Sequence, residues 1–584
     1  MPRIAARART LAVAGRPRRP ARALAAETVA ALRACANQVG NERAAHKALL
    51  LRQCAMRTVV DADVLLAYHD CLLFLLAYPE SAALAALAKA ELARVATAAR
   101  AIVADGSARA RARLANSGVA WAPMTIAFGH DIARWLAQRF PRHGEIDSFD
   151  ASGVSLAATL KHALPPMEFE LLSAADADTD AFLRDAAAGH RGTRLSWLVA
   201  QFARLPCSEG LREQLFDALH AYITITPAAG GLSRTFVRGP AVRRYFHSRA
   251  LQRGADLRRV VDTPLAPARA LDRAERMQLL DAGRAMLASL GRETDAISAA
   301  EPEGIEYHEL GRGIGIALYT MAPARRLPLD SHVGFMLFKN AIPVGYGGAW
   351  PFLGSAKVGV NIFAPFRGGE SAYLFCQVLR VYRQRFGIDH FIAEPSQFGG
   401  GNREGLDSGA FWFYYRLGFR PIVPRLATLA ADEFARMERE PDYRAPLAVL
   451  RRFTRSDIEL RLAPDIPGAP PCDPADLSLA VSAWIAARFR GNRLAAETFA
   501  LRTVTRALAV GGWSRWPASE RAAFRSFCLL LAQIDDLSAW PGRDKARVIA
   551  LARAKGGDEF RYFDLLRSHA RLHVALRAIV VRNA

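Results

Sequence analysis

A strand, a turn and a helix are written into VNIFAPFRGGESAYLF, residues 360–375. Val360–Phe363 carries β-branched and aromatic residues, and Pro365 with Gly368-Gly369 breaks the run. From Ser371 the apolar positions recur at helical spacing, with Phe375, Val378, Leu379, Tyr382 and Phe386 on one face, so a helix over 371–386 packs against a sheet. A strand that feeds a helix through a glycine turn makes an anion site, because unpaired amides and the positive end of the helix dipole meet there. Glycine lets a phosphate approach the backbone closely. The same pattern also describes a plain strand-to-helix turn.

Upstream, Glu306–Leu310, Gly313–Met321, His332–Lys339, Pro343–Phe352 and Lys357–Phe363 read as strands, with Lys339-Asn340-Ala341 a hairpin turn. Downstream, a strand at Asp389–Glu394, a glycine-rich loop, a second helix and a short strand near Phe419–Val423 complete the block. The fold class expected is α/β (α+β): a central mixed sheet with helices at 300–425, flanked by mainly α-helical regions.

The segment DSGAFWFYYRLGFRP, residues 407–421, resembles the second signature of the GNAT superfamily of N-acyltransferases, with Asp407, Ala410, Tyr414 and Gly418-Phe419 in its places. Residues 360–375 match the first signature in part, Arg367 and Ala372 falling on its outer positions. FKNAIPVGYGGAW, residues 338–350, resembles the family's hairpin. The resemblance spans about 300–425 and implies direct acyl transfer from acetyl-CoA, another acyl-CoA or an acyl-carrier protein to an amine. It implies a donor site of Asn361, Ile362 and Phe363 on the strand and Arg367, Gly368, Gly369, Glu370, Ser371 and Ala372 on the loop. It places Tyr414 as the acid for the thiolate leaving group, and Glu394, at a strand end before Pro395, is the base favoured here. Glu370 departs from the pattern, standing where the family has glycine. A carboxylate beside a diphosphate costs energy of order 1 kcal/mol at 4 Å in water. Glu370 is therefore expected to point outward, or the pocket has given up coenzyme A.

The 584 residues divide into a basic tail expected to be disordered (1–24), a helical region (25–299), the 300–425 block, a helix with the Pro-rich linker PDIPGAPPCDP (426–475), and a second helical region (476–584). Short strands are expected near Glu168–Leu172 and Ala221–Thr226, and helices at Leu195–Leu205, Leu211–Tyr222 and Arg273–Leu290. With 51% hydrophobic and 23% charged residues, the chain can bury real cores. Its net charge of +22 sits mostly at the two ends and is almost all arginine. Such charge suits nucleic acid or an anionic membrane surface, but no finger spacing or RNP-like strand accompanies it. Seven scattered cysteines, never paired as CxxC, argue against a disulfide framework or thiolate zinc site. No apolar run reaches membrane-spanning length, and the N-terminal apolar stretch is too short for a signal peptide. A cytoplasmic protein without a metal is expected.

Three functional classes remain from sequence. They are an acyltransferase with an unknown amine acceptor, a non-catalytic GNAT-derived binding or scaffold protein, and a basic nucleic-acid- or membrane-surface-binding protein. Gly311-x-Gly313-x-Gly315 lies in strand pattern and reads as a hairpin, not a nucleotide loop. His569 and His573 share a helix face without a metal motif around them.

Overall fold

Eight strands share one sheet, and a smaller sheet lies in the N-terminal region. The computed structural model describes residues 22–150, 152–173, 178–226, 231–463 and 472–583. The tail to residue 21 and the linker at 464–471 lie outside the described residues.

The N-terminal region opens with helices Ala26–Ala36, Asn41–Ala55, Ala62–Ala77, Ala82–Asp105 and Ala108–Leu114. Asp61 caps the third by accepting from the Val64 amide, and the helix buries Leu65, Tyr68, Leu72 and Leu75 before Pro79. Strands β1 (Met124–Ala127), β2 (Gly144–Phe149) and β3 (Ala221–Ile225) then form an antiparallel sheet in the order β1-β3-β2. Of these only β3 was legible in sequence. The strand expected at Glu168–Leu172 is instead a 3₁₀ turn, Pro166–Glu168, running into a helical turn, Phe169–Leu172. Pro165 and Pro166 favour a helix start there. The helix expected at Leu211–Tyr222 is Glu209–Asp217, its remainder being the turn into β3.

The large sheet contains β4 (Ala300–Glu309), β5 (Ile314–Met321), β6 (Val333–Lys339), β7 (Ile342–Phe352), β8 (Ser355–Ile362), β9 (His390–Ala393), β10 (Arg420–Pro421) and β11 (Ile458–Arg461). Their order is β10-β11-β9-β8-β7-β6-β5-β4. Every neighbouring pair is antiparallel except β8 with β9. Gly311, Arg312 and Gly313 all take positive φ in the β4–β5 hairpin. Asn340 and Ala341, at φ 50° and 66°, make the two-residue β6–β7 turn. Because β11 pairs with β9 and β10, the sheet continues past 425, where the sequence reading ended it.

Strands β5 and β6 are buried along their whole length because helices cover both faces. On one face lies Ser371–Phe386, whose Tyr382 hydroxyl donates to the Val333 carbonyl at 2.5 Å. On the other lie Arg273–Ala288 and Asp295–Ser298. There the Tyr319 hydroxyl donates to Leu279 at 2.9 Å, and Gly334 leaves room for Ala296. The C-terminal region is helical: Pro474–Phe489, Arg493–Ala507, Ala518–Leu531, Gly542–Lys555, Glu559–Arg567 and Ala570–Asn583. It packs Phe560 and Phe563 beneath Phe386 and buries Lys555 and Glu559 against Ser331. Among the described residues, no helix is long and apolar enough to cross a membrane.

Candidate functional site

Strands β8 and β9 pair only at Ser355–Lys357 with His390–Ile392. Beyond that β9 ends, since Pro395 has no amide to donate, while β8 continues to Ile362. The strands therefore part. From Val358 onward, the side of β8 that faced β9 lacks a strand partner and borders a cleft of about 610 Å³. Arg367 and Ser371 at the helix start line the cleft, as do Trp350, His332 and Glu293. Gly359 and Gly348 keep its floor thin. A Cβ on Gly359 would lie 2.4 Å from the Gln397 side chain, and one on Gly348 would lie 2.3 Å from His332.

Four of the residues expected to hold a donor border this cleft: Asn361, Ile362, Arg367 and Ser371. The Asn361 Oδ1 is buried without a hydrogen-bond partner. Arg367 donates to the Ile362 carbonyl at 3.1 Å and also pairs with Glu404 across the cleft. At the start of the helix, the first-turn amides have no acceptor within the helix itself.

The other five face elsewhere. Phe363 is buried and stacks on Tyr346, and Ala372 packs into the core. Gly369 abuts Tyr78, where a Cβ would lie 2.7 Å from the ring. Gly368 faces Asn37 at 3.4 Å. Glu370 contradicts the outward orientation expected of it. It is wholly buried and turned toward the end of β6 and the β4–β5 hairpin. There it pairs with Lys339 at 2.8 Å and with Arg312, and it accepts the Gln252 amide at 3.0 Å. Burial alone would raise this carboxyl, but Lys339 and these hydrogen bonds outweigh it and hold the pKa below the usual carboxylate range. Two cations on one acid explain why a carboxylate is tolerated at this turn.

Tyr414 comes from the helix Ala410–Arg416. It is 2% exposed, with Phe375, Phe398, Phe413 and Phe419 around its ring. The residue lines the cleft, while its hydroxyl is itself buried beside the Val360 backbone and has no side-chain hydrogen-bond partner among the described residues. Burial raises its pKa well above the ordinary tyrosine value, with the Val360 backbone alongside acting in the opposite sense. A buried hydroxyl left unsatisfied is costly unless something else supplies a partner.

Glu394 also borders the cleft but is not enclosed. Its side chain is 47% exposed and pairs with Lys357 at 3.0 Å. The burial that a neutral-range base needs is absent there.

Glu293, in the turn between the helix Arg273–Ala288 and the helix Asp295–Ser298, also borders the cleft and is exposed. Its Oε1 accepts the Gly129 amide at 2.8 Å. Partial desolvation, reinforced by Asp217, Asp131 and Asp295, raises its carboxyl above the usual carboxylate range against the effect of that hydrogen bond. Beside it, His332 stacks on Trp350 at 4.7 Å. Sequence reasoning missed Glu293, His332, Trp350 and Gln397. Glu293 lies in a polar turn with no motif, and its hydrogen bond comes from Gly129, more than 160 residues away. Elsewhere, His569 and His573 each bond a backbone carbonyl, of Asp544 and Leu566 respectively.

Compared with known proteins, the chain matches no family model, no curated protein and no solved structure.

Proposed function

We propose that the chain is an N-acyltransferase of the GNAT kind, moving an acyl group from an acyl thioester of phosphopantetheine to an amine. The observation that carries this reading is the parting of β8 and β9 around a cleft lined by Tyr414, whose buried hydroxyl has no side-chain partner among the described residues. In this reading the free edge of β8 pairs with the pantetheine arm, as an added strand pairs with a sheet edge. The helix start near Ser371 and the Arg367 guanidinium receive phosphate. The thioester then lies beside Tyr414, which protonates the departing thiolate while the amine attacks the carbonyl carbon. Glu370 does not oppose an anionic donor, because its charge is spent on Lys339 and Arg312 on the far side of the loop.

Thermal-shift titration of the full chain with acetyl-CoA, longer acyl-CoAs and acyl-carrier protein tests this. A ligand of the native state present at about 100 times its Kd stabilises by about 2.7 kcal/mol. At least one donor is expected to raise Tm by several degrees, with thiol released when an amine is added. No shift with any donor would leave the cleft without its proposed occupant.

A further inference from the structure

We propose that residues 474–507, two helices joined by a short turn, dock the protein on an anionic phospholipid surface. The proposal is independent of the acyl-transfer reading, since neither its observations nor its test involve the cleft.

The pair consists of Pro474–Phe489 and Arg493–Ala507, linked through Arg490, Gly491 and Asn492. Leu477, Ala480 and Ile485 of the first helix and Ala496, Ala500 and Val504 of the second are buried. Leu479 and Leu494 stand outward instead, 69% and 75% exposed. A helix face turned to water ordinarily carries charge. Residues 477–487, LSLAVSAWIAA, carry none, although Ser478, Leu479, Ser482, Ala483 and Ala486 are all exposed. Toward the turn, the rings of Trp484, Phe489 and Phe499 pack on one another with centroids 5.0 to 6.3 Å apart. Leu494, Phe499 and Arg502 border one shallow groove at the start of the second helix.

The charge beside this apolar surface is unmatched. Residues 474–507 hold five arginines, at 488, 490, 493, 502 and 506, against two acids, Asp476 and Glu497. All five are exposed, and none pairs with a carboxylate among the described residues. Arg488 lies over the Phe499 ring at 4.4 Å. Elsewhere in the C-terminal region exposed arginines do find acids: Arg553 with Glu520, Arg571 with Asp544 and Arg582 with Asp535.

These two features together select the occupant. A second copy of the chain would cover the leucines but set arginine against arginine. A nucleic acid would answer the arginines but leave Leu479 and Leu494 in water. A phospholipid surface satisfies both. Its phosphate oxygens accept from the guanidinium groups in the headgroup layer, while Leu494 and the ring cluster reach the acyl boundary. The arginines supply attraction to a negative leaflet, and the apolar side chains hold the contact at short range.

Co-sedimentation of the full chain with lipid vesicles tests this. Partitioning onto phosphatidylcholine vesicles containing about 30% phosphatidylglycerol is expected to exceed that onto phosphatidylcholine alone at least tenfold, and to fall as salt rises. Arg493→Gln combined with Arg502→Gln should lower partitioning at least tenfold, and Leu494→Ser at least threefold. Tm should hold in both, because these side chains are exposed. Arg451→Gln combined with Arg452→Gln removes the same charge from the exposed end of the helix Leu447–Phe453 and should change partitioning less than twofold. Equal losses in the two double variants would reduce the binding to net charge and overturn the docking surface, as would an unchanged Leu494→Ser. A single-stranded oligoribonucleotide bound more tightly than the vesicles, and released by the Arg493 and Arg502 changes, would give these arginines to nucleic acid instead. Absence of the chain from both vesicle pellets overturns the proposal outright.

Discussion

Two glutamates stand at helix starts near the cleft, and the two are treated oppositely. Glu370 precedes the helix Ser371–Phe386 and is wholly buried, held by Lys339, Arg312 and the Gln252 amide. Glu293 reaches the start of the helix His130–Arg139, is exposed, and accepts the Gly129 amide without an ion pair among the described residues. The first carboxylate is ionised and silent because its charge is matched at every oxygen. The second is left to solvent and one backbone amide. A departure from a sequence pattern is therefore no guide to chemistry until its partners are known. The unusual residue at the loop is architectural.

The sharpest way to break this contrast is to remove the buried acid. Glu370→Gly restores the glycine of the family pattern but strands Lys339, which is fully buried, and leaves Arg312 short of a partner. Removing one partner of a buried pair costs about 3–5 kcal/mol, and glycine at a helix start adds backbone entropy. Urea unfolding should show a loss of that size. A change below about 1 kcal/mol would mean that Glu370 is dispensable to the loop.

Tyr414→Phe tests the other side of the comparison, where function rather than stability is at stake. Its hydroxyl has no side-chain partner among the described residues, so stability should move by no more than about 1 kcal/mol. Thiol release should fall about 100-fold, the lower range for loss of a general acid. A large loss of stability with unchanged turnover would make Tyr414 a packing residue.

The two loop glycines give a smaller and more local contrast. A Cβ at Gly369 would strike Tyr78, which cannot swing away because Phe74 and His247 flank its ring at 4.8 and 5.5 Å. Gly369→Ala should therefore cost about 1–3 kcal/mol, the usual penalty of overpacking. At Gly368 the nearest atom is the Asn37 amide at an ordinary 3.4 Å, so Gly368→Ala should stay within about 0.5 kcal/mol. Equal effects in parallel melts would contradict the way the loop is seated on the N-terminal helices.

That seating shows what the sequence could and could not carry. The helix Ser371–Phe386 was legible residue by residue, because a 3.6 period survives whatever the helix packs on. The β6–β7 turn was legible from Asn340, whose side chain tolerates positive φ. Strands β1 and β2 were not, since MTIA and GEIDSF are short and become strands only by pairing with β3. The site divided the same way. Asn361, Ile362, Arg367, Ser371 and Tyr414 sit on elements with local signatures and fell at the cleft. Glu370 and Gly369 were misplaced because their partners, Lys339, Arg312 and Tyr78, lie 31 or more residues away along the chain. Glu293 acquires its character from Gly129 and Asp217, contacts that no window of sequence contains.

The smallest expected effect belongs to Glu394, and it decides whether an exposed strand-end carboxylate takes part in the chemistry. Glu394 and Lys357 are each nearly half exposed, and their contact at 3.0 Å is an ordinary surface pair. Such pairs contribute about 0–1 kcal/mol and weaken with salt. Glu394→Gln should therefore lower stability by less than about 1 kcal/mol and change turnover by less than about threefold. The Lys357 ammonium, whose pKa its hydrogen bond to Glu394 raises, should drift back toward the ordinary lysine value. A loss of 100-fold in kcat would instead make Glu394 the proton acceptor of the proposed transfer.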